Sequence, residues 1–109
     1  MIIPMKPRHI EMIRAGKKTT TLRSLKEVYP LGRNELPDGT EINLHYRVLV
    51  TVSDSGLSDD DLLGGYAIHS EFHAQSEGYS SWPEVVAELR KMRHKLPKRM
   101  WLYTFEVVK

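Results

Sequence analysis

The run from Glu41 to Val52 limits the possible folds of this chain more than any other stretch. Ile42, Leu44, Tyr46, Val48, Val50 and Val52 alternate with other residues along it. Successive side chains of a strand point to opposite faces, so this alternation predicts one long strand with an apolar face. Strands usually run about 3–10 residues, so one this long is expected to bend near His45 or Arg47. The C-terminal run, where Trp101, Tyr103, Phe105 and Val107 alternate in the same way, is expected to form a closing strand.

Helices are expected on either side. Pro7 suits a first helical position, Ile10 and Ile13 share an inward face, and Gly16 stops the segment after Ala15. A second helix is predicted over Trp82–Arg93, with Pro83 in its first turn and an apolar stripe of Val85, Leu89, Met92 and Leu96, closed by Pro97. A weaker helical pattern follows Ser58 and Asp61 through Leu62, Tyr66, His69 and Phe72, across Gly64-Gly65. Ile2-Ile3 reads as a short strand, 53–58 as a turn, and 24–39, with Pro30, Gly32, Asn34, Pro37 and Gly39, as a long loop. The expected architecture is α+β, one domain over 1–109: a small, partly open β-barrel with flanking helices.

Composition removes whole classes of chemistry. The chain has no cysteine, which excludes disulfides, thiolate zinc sites and cysteine nucleophiles. Sixteen Lys and Arg against 14 Asp and Glu give a formal charge of +2, a mild basicity suited to nucleotides or RNA. No apolar run approaches the roughly 20 residues of a membrane span. Residues 1–8 are too short and too broken by proline for a signal peptide, so the expectation is a cytoplasmic protein with no membrane partner.

The chemistry concentrates in Gly16-Lys17-Lys18-Thr19-Thr20-Thr21-Leu22-Arg23. The threonines favour a strand over 18–23, and a lysine beside a hydroxyl is the minimum equipment for an oxygen nucleophile. Lys17 and Arg23 are cationic neighbours that would push Lys18 toward its neutral form. On an ideal strand Lys18 and Thr21 face opposite ways, so their cooperation requires Lys18 to lie in the turn after Gly16, or a bulge between them. The plain alternative is a solvated edge strand. His69 and His73 have the i, i+4 spacing of a zinc pair, but no third ligand is evident and no metal site is expected. His9 and His94 look incidental, while His45 is placed to face a pocket. Trp82, Trp101, Tyr103 and Phe105 read as core.

Glu77-Gly78-Tyr79 is the second notable element. In this order and spacing, Gly16, Lys18, Thr19, Arg23, Asp38-Gly39 and Glu77-Gly78-Tyr79 resemble the ASCH domain, a PUA-like barrel with flanking helices. Lys18-Thr19-Thr20-Thr21-Leu22-Arg23 is similar to the Lys-Thr-x-Thr-x-Arg signature of the small bacterial N4-acetylcytidine amidohydrolases. The chain departs from that family over 24–36, where a short acidic segment is expected, and in its central strand, which lacks the Asp/Gly-rich hairpin of the compact enzymes. The resemblance implies Lys18, Thr21 and Glu77 as catalytic residues. Arg23, Thr19, Arg47, His45 and Tyr79 are the expected substrate contacts, His45 and Arg47 from their places on the long strand. It implies a nucleoside substrate, an N4-acylcytidine, and no cofactor. The alternative carried by the same resemblance is an RNA-binding module or a ribonuclease, with Lys17, Lys18, Arg23 and Arg47 lining a basic groove.

Overall fold

A computed structural model describes residues 1–53, 56–59, 67–68, 74–93 and 96–108. Helix α1 spans Pro7–Arg14, and α2 spans Trp82–Arg93. The strands are β1 Thr20–Arg23, β2 Gly32–Glu35, β3 Glu41–Ser53, β4 Gly56–Asp59, β5 Ala67–Ile68 and β6 Arg99–Val107. They form one antiparallel sheet in the order β1-β6-β3-β4-β5, with β2 paired to the first half of β3. The α+β class is as expected. The sheet is open, with no pairing between β1 and β5 among the described residues, so no closed barrel is present there.

The long strand bends where its length required. Leu44 faces Phe105 but Tyr46 faces Thr104, so the β3–β6 register slips at His45. Directly opposed residues share a face of an antiparallel pair. Ile42 and Leu44 therefore lie on the face of Tyr103 and Phe105, whereas Val48 and Val50 lie on the opposite face with Leu102 and Met100. The slip divides one apolar alternation between two cores. On one face Ile10 and Ile13 of α1 pack with Ile3, Leu36, Ile42, Leu44, Tyr103 and Phe105. On the other, Trp82, Val85, Val86 and Leu89 of α2 pack with Val50, Val52, Met100 and Leu102. The sheet is thus covered by a helix on each side, and β1 lies at its edge.

Two segments expected as turn or loop contain strands. Gly32-Arg33-Asn34-Glu35 has no apolar alternation, yet as β2 it pairs with β3 through its backbone. Residues 56–59 form β4, which places Ser58 in a strand rather than at a helix cap. Leu62, Tyr66, His69, Phe72, His73 and His94 lie outside the described residues. Among the described residues no helix is long and apolar enough to cross a membrane.

Residues 24–31 are docked on the α1 face by polar tips of core aromatics. The Tyr103 hydroxyl donates to Glu27 O at 2.8 Å and accepts from Tyr29 N at 2.9 Å, and Trp101 Nε1 donates to Leu25 O at 3.3 Å. Tyr103 is fully buried, so removing its hydroxyl strands both backbone groups in a place that water reaches poorly. Tyr103→Phe is expected to cost about 1–3 kcal/mol, read as a lowered thermal midpoint. A midpoint equal to the wild type would mean that this docking contributes nothing.

Candidate active site

Two glycine-stopped helix ends meet here. At the end of α1, Gly16 adopts φ +76°. Its N–H donates to Ile13 O at 3.0 Å and that of Lys17 to Met12 O at 2.9 Å, the pattern of a Schellman stop. Residues 74–76 are helical, and Gly78 repeats the arrangement. Its φ is +94°, its N–H donates to Gln75 O at 3.0 Å, and Tyr79 N donates to Ala74 O at 2.8 Å. A side chain is strained at such a φ, and a Cβ on Gly78 would also meet Met12 Sδ at 2.7 Å. Thr19 N donates to Ser76 O at 2.7 Å and ties the two ends together.

Lys18 leaves the first turn and Glu77 the second. Lys18 precedes β1, which begins at Thr20, so it lies between the Gly16 turn and the strand rather than within the strand expected over 18–23. Its Nζ donates to Glu77 Oε2 at 2.6 Å and to Glu77 O at 3.1 Å. The two side chains are only 3% and 5% exposed. The charge set against Lys18 is therefore a carboxylate, where the sequence suggested the cations of its own segment. Thr21 and Lys18 line the same cavity but share no hydrogen bond among the described residues; a carboxylate outcompetes a neutral hydroxyl for the ammonium. Thr21 Oγ1 accepts instead from Arg23 Nε at 3.1 Å.

The cavity has a volume of about 410 Å³, within the range of roughly 300–1,000 Å³ typical of small-molecule sites. It is walled by Thr21 and Leu22, which point to opposite faces of β1, so it wraps the free edge of the sheet. Lys18, Glu77 and Tyr79 line it, and Val85, Leu89 and Met92 of α2 give it an apolar side. Its charges come in pairs: Lys18 with Glu77, Arg23 with Glu27 at 3.3 Å, and Lys6 with Glu88 at 3.7 Å.

Of the expected substrate contacts, Arg23 and Tyr79 line the cavity and Thr19, His45 and Arg47 do not. Thr19 is exposed, its backbone used by Ser76 and Phe105. His45 sits at the register slip, 3.5 Å from Glu106. Arg47 lies over the Trp101 ring at 5.2 Å and donates to Tyr29 O at 3.3 Å. No group of three or more metal-ligating side chains occurs among the described residues, and His69 and His73 lie outside them.

His9 is the residue that sequence reasoning passed over. It lies four positions before Ile13, on the same face of α1, and that periodicity could have found it. Its Nε2 sits 3.3 Å from the Tyr79 hydroxyl, which also accepts from Arg8 at 3.3 Å. Burial, then the charges of Lys18 and Arg8, lower its pKa from 6.5 to about 4. A neutral imidazole thus faces the cavity at neutral pH. Burial also raises the Tyr79 pKa, leaving a protonated phenol beside it.

Comparisons with protein-family models, with curated proteins and with solved structures found no match for this chain.

Two outcomes follow from this geometry. Removing one member of a buried ion pair strands the other, at about 3–5 kcal/mol, whereas replacing both with apolar residues costs far less. Lys18→Met and Glu77→Leu should each lower the thermal midpoint more than the double substitution does; additive losses would mean that the pair is not coupled. His9 binds its proton more weakly folded than unfolded, so the unfolded chain takes up more protons between about pH 6.5 and 4. Stability should therefore fall with pH across that window, less steeply in His9→Gln, and parallel curves for the two proteins would contradict the neutral imidazole.

Proposed function

We propose that this protein is an amidohydrolase that removes the acyl group from N4-acylated cytidine or cytosine, releasing cytidine and acetate from N4-acetylcytidine. The reading rests on its likeness to the ASCH amidohydrolase signature. The open sheet is assigned with it to the PUA-like class, as a barrel left open. The observation that carries the reading is the buried Lys18–Glu77 pair in one cavity with Thr21. A binding surface has no need of a buried ion pair in one cavity with a hydroxyl.

The chemistry runs on one proton at a time. With substrate in the cavity and water displaced, Glu77 takes a proton from Lys18, turning an ion pair into an amine and an acid. The Lys18 amine takes the Thr21 hydroxyl proton as Oγ1 bonds to the acyl carbon. The tetrahedral oxyanion collapses and the C–N bond breaks. Glu77, now a carboxylic acid, protonates the departing N4 amine. Water then attacks the threonine ester and gives a proton to the Glu77 carboxylate. As the ester C–O bond breaks, the Lys18 ammonium returns its proton to Thr21 Oγ1. Acetic acid leaves as acetate, and proton transfer from Glu77 to Lys18 restores the ion pair.

The charge pattern favours this reading over RNA binding. Each cation of the expected groove that lines the cavity is matched: Lys18 by Glu77, and Arg23 by Glu27. Arg47 is occupied by Tyr29 O and the Trp101 ring. A phosphate entering such a cavity meets compensated charge, whereas a neutral nucleoside brings no charge to be desolvated.

Incubation with N4-acetylcytidine should yield cytidine, resolved by chromatography. Thr21→Ala should abolish turnover, Thr21→Ser retain a fraction, and Glu77→Gln lose about 10²–10⁴-fold, the usual worth of a positioned proton donor. Full activity in Thr21→Ala would remove the covalent scheme, and tight RNA binding without any cytidine release would favour the binding module.

A further inference from the structure

Arg23 is too fully engaged to be a substrate ligand. Its Nε donates to Thr21 Oγ1 at 3.1 Å and its Nη1 to Glu27 Oε2 at 3.3 Å. Its Nη2 contacts Pro4 O at 2.8 Å and Met5 Sδ at 3.3 Å. Glu27 is held in turn: Ser24 Oγ donates to its Oε1 at 3.3 Å and the Tyr29 hydroxyl to its Oε2 at 3.1 Å. Its own carbonyl accepts from buried Tyr103 at 2.8 Å. The guanidinium is thus fixed on three sides, with its Nε–H aimed at one atom.

That atom is the hydroxyl oxygen of Thr21. A hydroxyl has one proton and two lone pairs, and guanidinium is a donor that cannot accept. With one lone pair taken by Arg23, the Thr21 proton is turned away from it. As the proton leaves, the charge growing on Oγ1 meets a permanently cationic N–H already at hydrogen-bond distance. Fixed donors aimed at developing charge need no reorganisation when the reaction occurs.

We propose that Arg23 is a catalytic residue that stabilises the Thr21 oxygen as an alkoxide, and that Glu27 is the positioning residue that aims it. The assignment rests on Thr21 being the nucleophile. It does not depend on which acyl compound is the natural substrate.

The test uses p-nitrophenyl acetate as an acyl donor. Thr21 Oγ1 bonds to the acetyl carbon, the ester C–O bond breaks, and p-nitrophenol leaves with the proton lost by the threonine. The rate counted is the excess over Thr21→Ala. Arg23→Met should lower it by about 10²–10³-fold, the loss typical of one such donor. Arg23→Lys keeps a charge but lacks the planar fork, so it should recover only part of the rate. Glu27→Gln should lower the rate less, and should have no effect once Arg23 is replaced. A purely structural contribution, or a direct field of Glu27 on Thr21, would persist in that background. Thermal unfolding checks that each variant is folded, and Arg23→Lys serves in the cycle if Arg23→Met is not.

The proposal is overturned if Arg23 variants stay within about twofold of the wild type, or if the Glu27 effect adds in full to that of Arg23. It is also overturned if the wild type is no faster than Thr21→Ala. The expected pattern with p-nitrophenyl acetate, alongside no release of cytidine from N4-acetylcytidine, supports the assignment and refutes the proposed substrate alone.

Discussion

The contact between Lys18 and Glu77 joins two points 59 residues apart in the chain and buries both charges. Taking two ions out of water costs several kcal/mol each, and a single close contact seldom repays it in full. The surrounding structure supplies what holds it. Two left-handed glycines stop two helices, and their ends abut so that the lysine and the carboxylate meet. The second contact, from Lys18 Nζ to Glu77 O, fixes the ammonium in both directions. A pair kept at such expense is poor value as a fastening, since apolar residues would serve stability as well. Under the proposed chemistry it is a place where a proton can move.

The register slip at His45 gives that pair its setting. Without it, the even residues of β3 would all face one way and a single helix would cover them. With it, the apolar side chains divide, α1 and α2 cover opposite faces, and β1 is left as an edge between them. An uncovered edge strand is ordinarily a liability. Here the two helices and residues 74–79 close over it and leave a cavity, so the side chains of both faces of β1 reach one space. The docking of residues 24–31 by Tyr103 and Trp101 brings Glu27 to the same edge and completes the hold on Arg23.

Much of this was legible in the sequence, for physical reasons that can be named. The helix at Trp82–Arg93, the inward Ile10 and Ile13, and the bend near His45 follow from periodicity and strand length. The strand at the threonines follows from a glycine stop before a threonine run, although it begins at Thr20 rather than at Lys18. What escaped was set by partners remote in sequence. β2 pairs through its backbone, which leaves no trace in side-chain alternation. Glu27 is placed by the hydroxyl of Tyr103, and the burial of His9 by α1 packing. His45 and Arg47 looked like pocket residues because the alternation placed them near the centre of β3. The slip and the Trp101 ring take them elsewhere.

The central claim is that the Lys18–Glu77 pair arms Thr21 as a covalent nucleophile. Its most direct measurement is rapid acid quenching of the protein during exposure to N4-acetylcytidine, followed by peptide mass spectrometry. The account predicts one acetyl group on the peptide bearing Thr21, absent when Lys18 is replaced by methionine. Release of cytidine with no acetyl group on that peptide, retained when Thr21 is replaced by alanine, would contradict it.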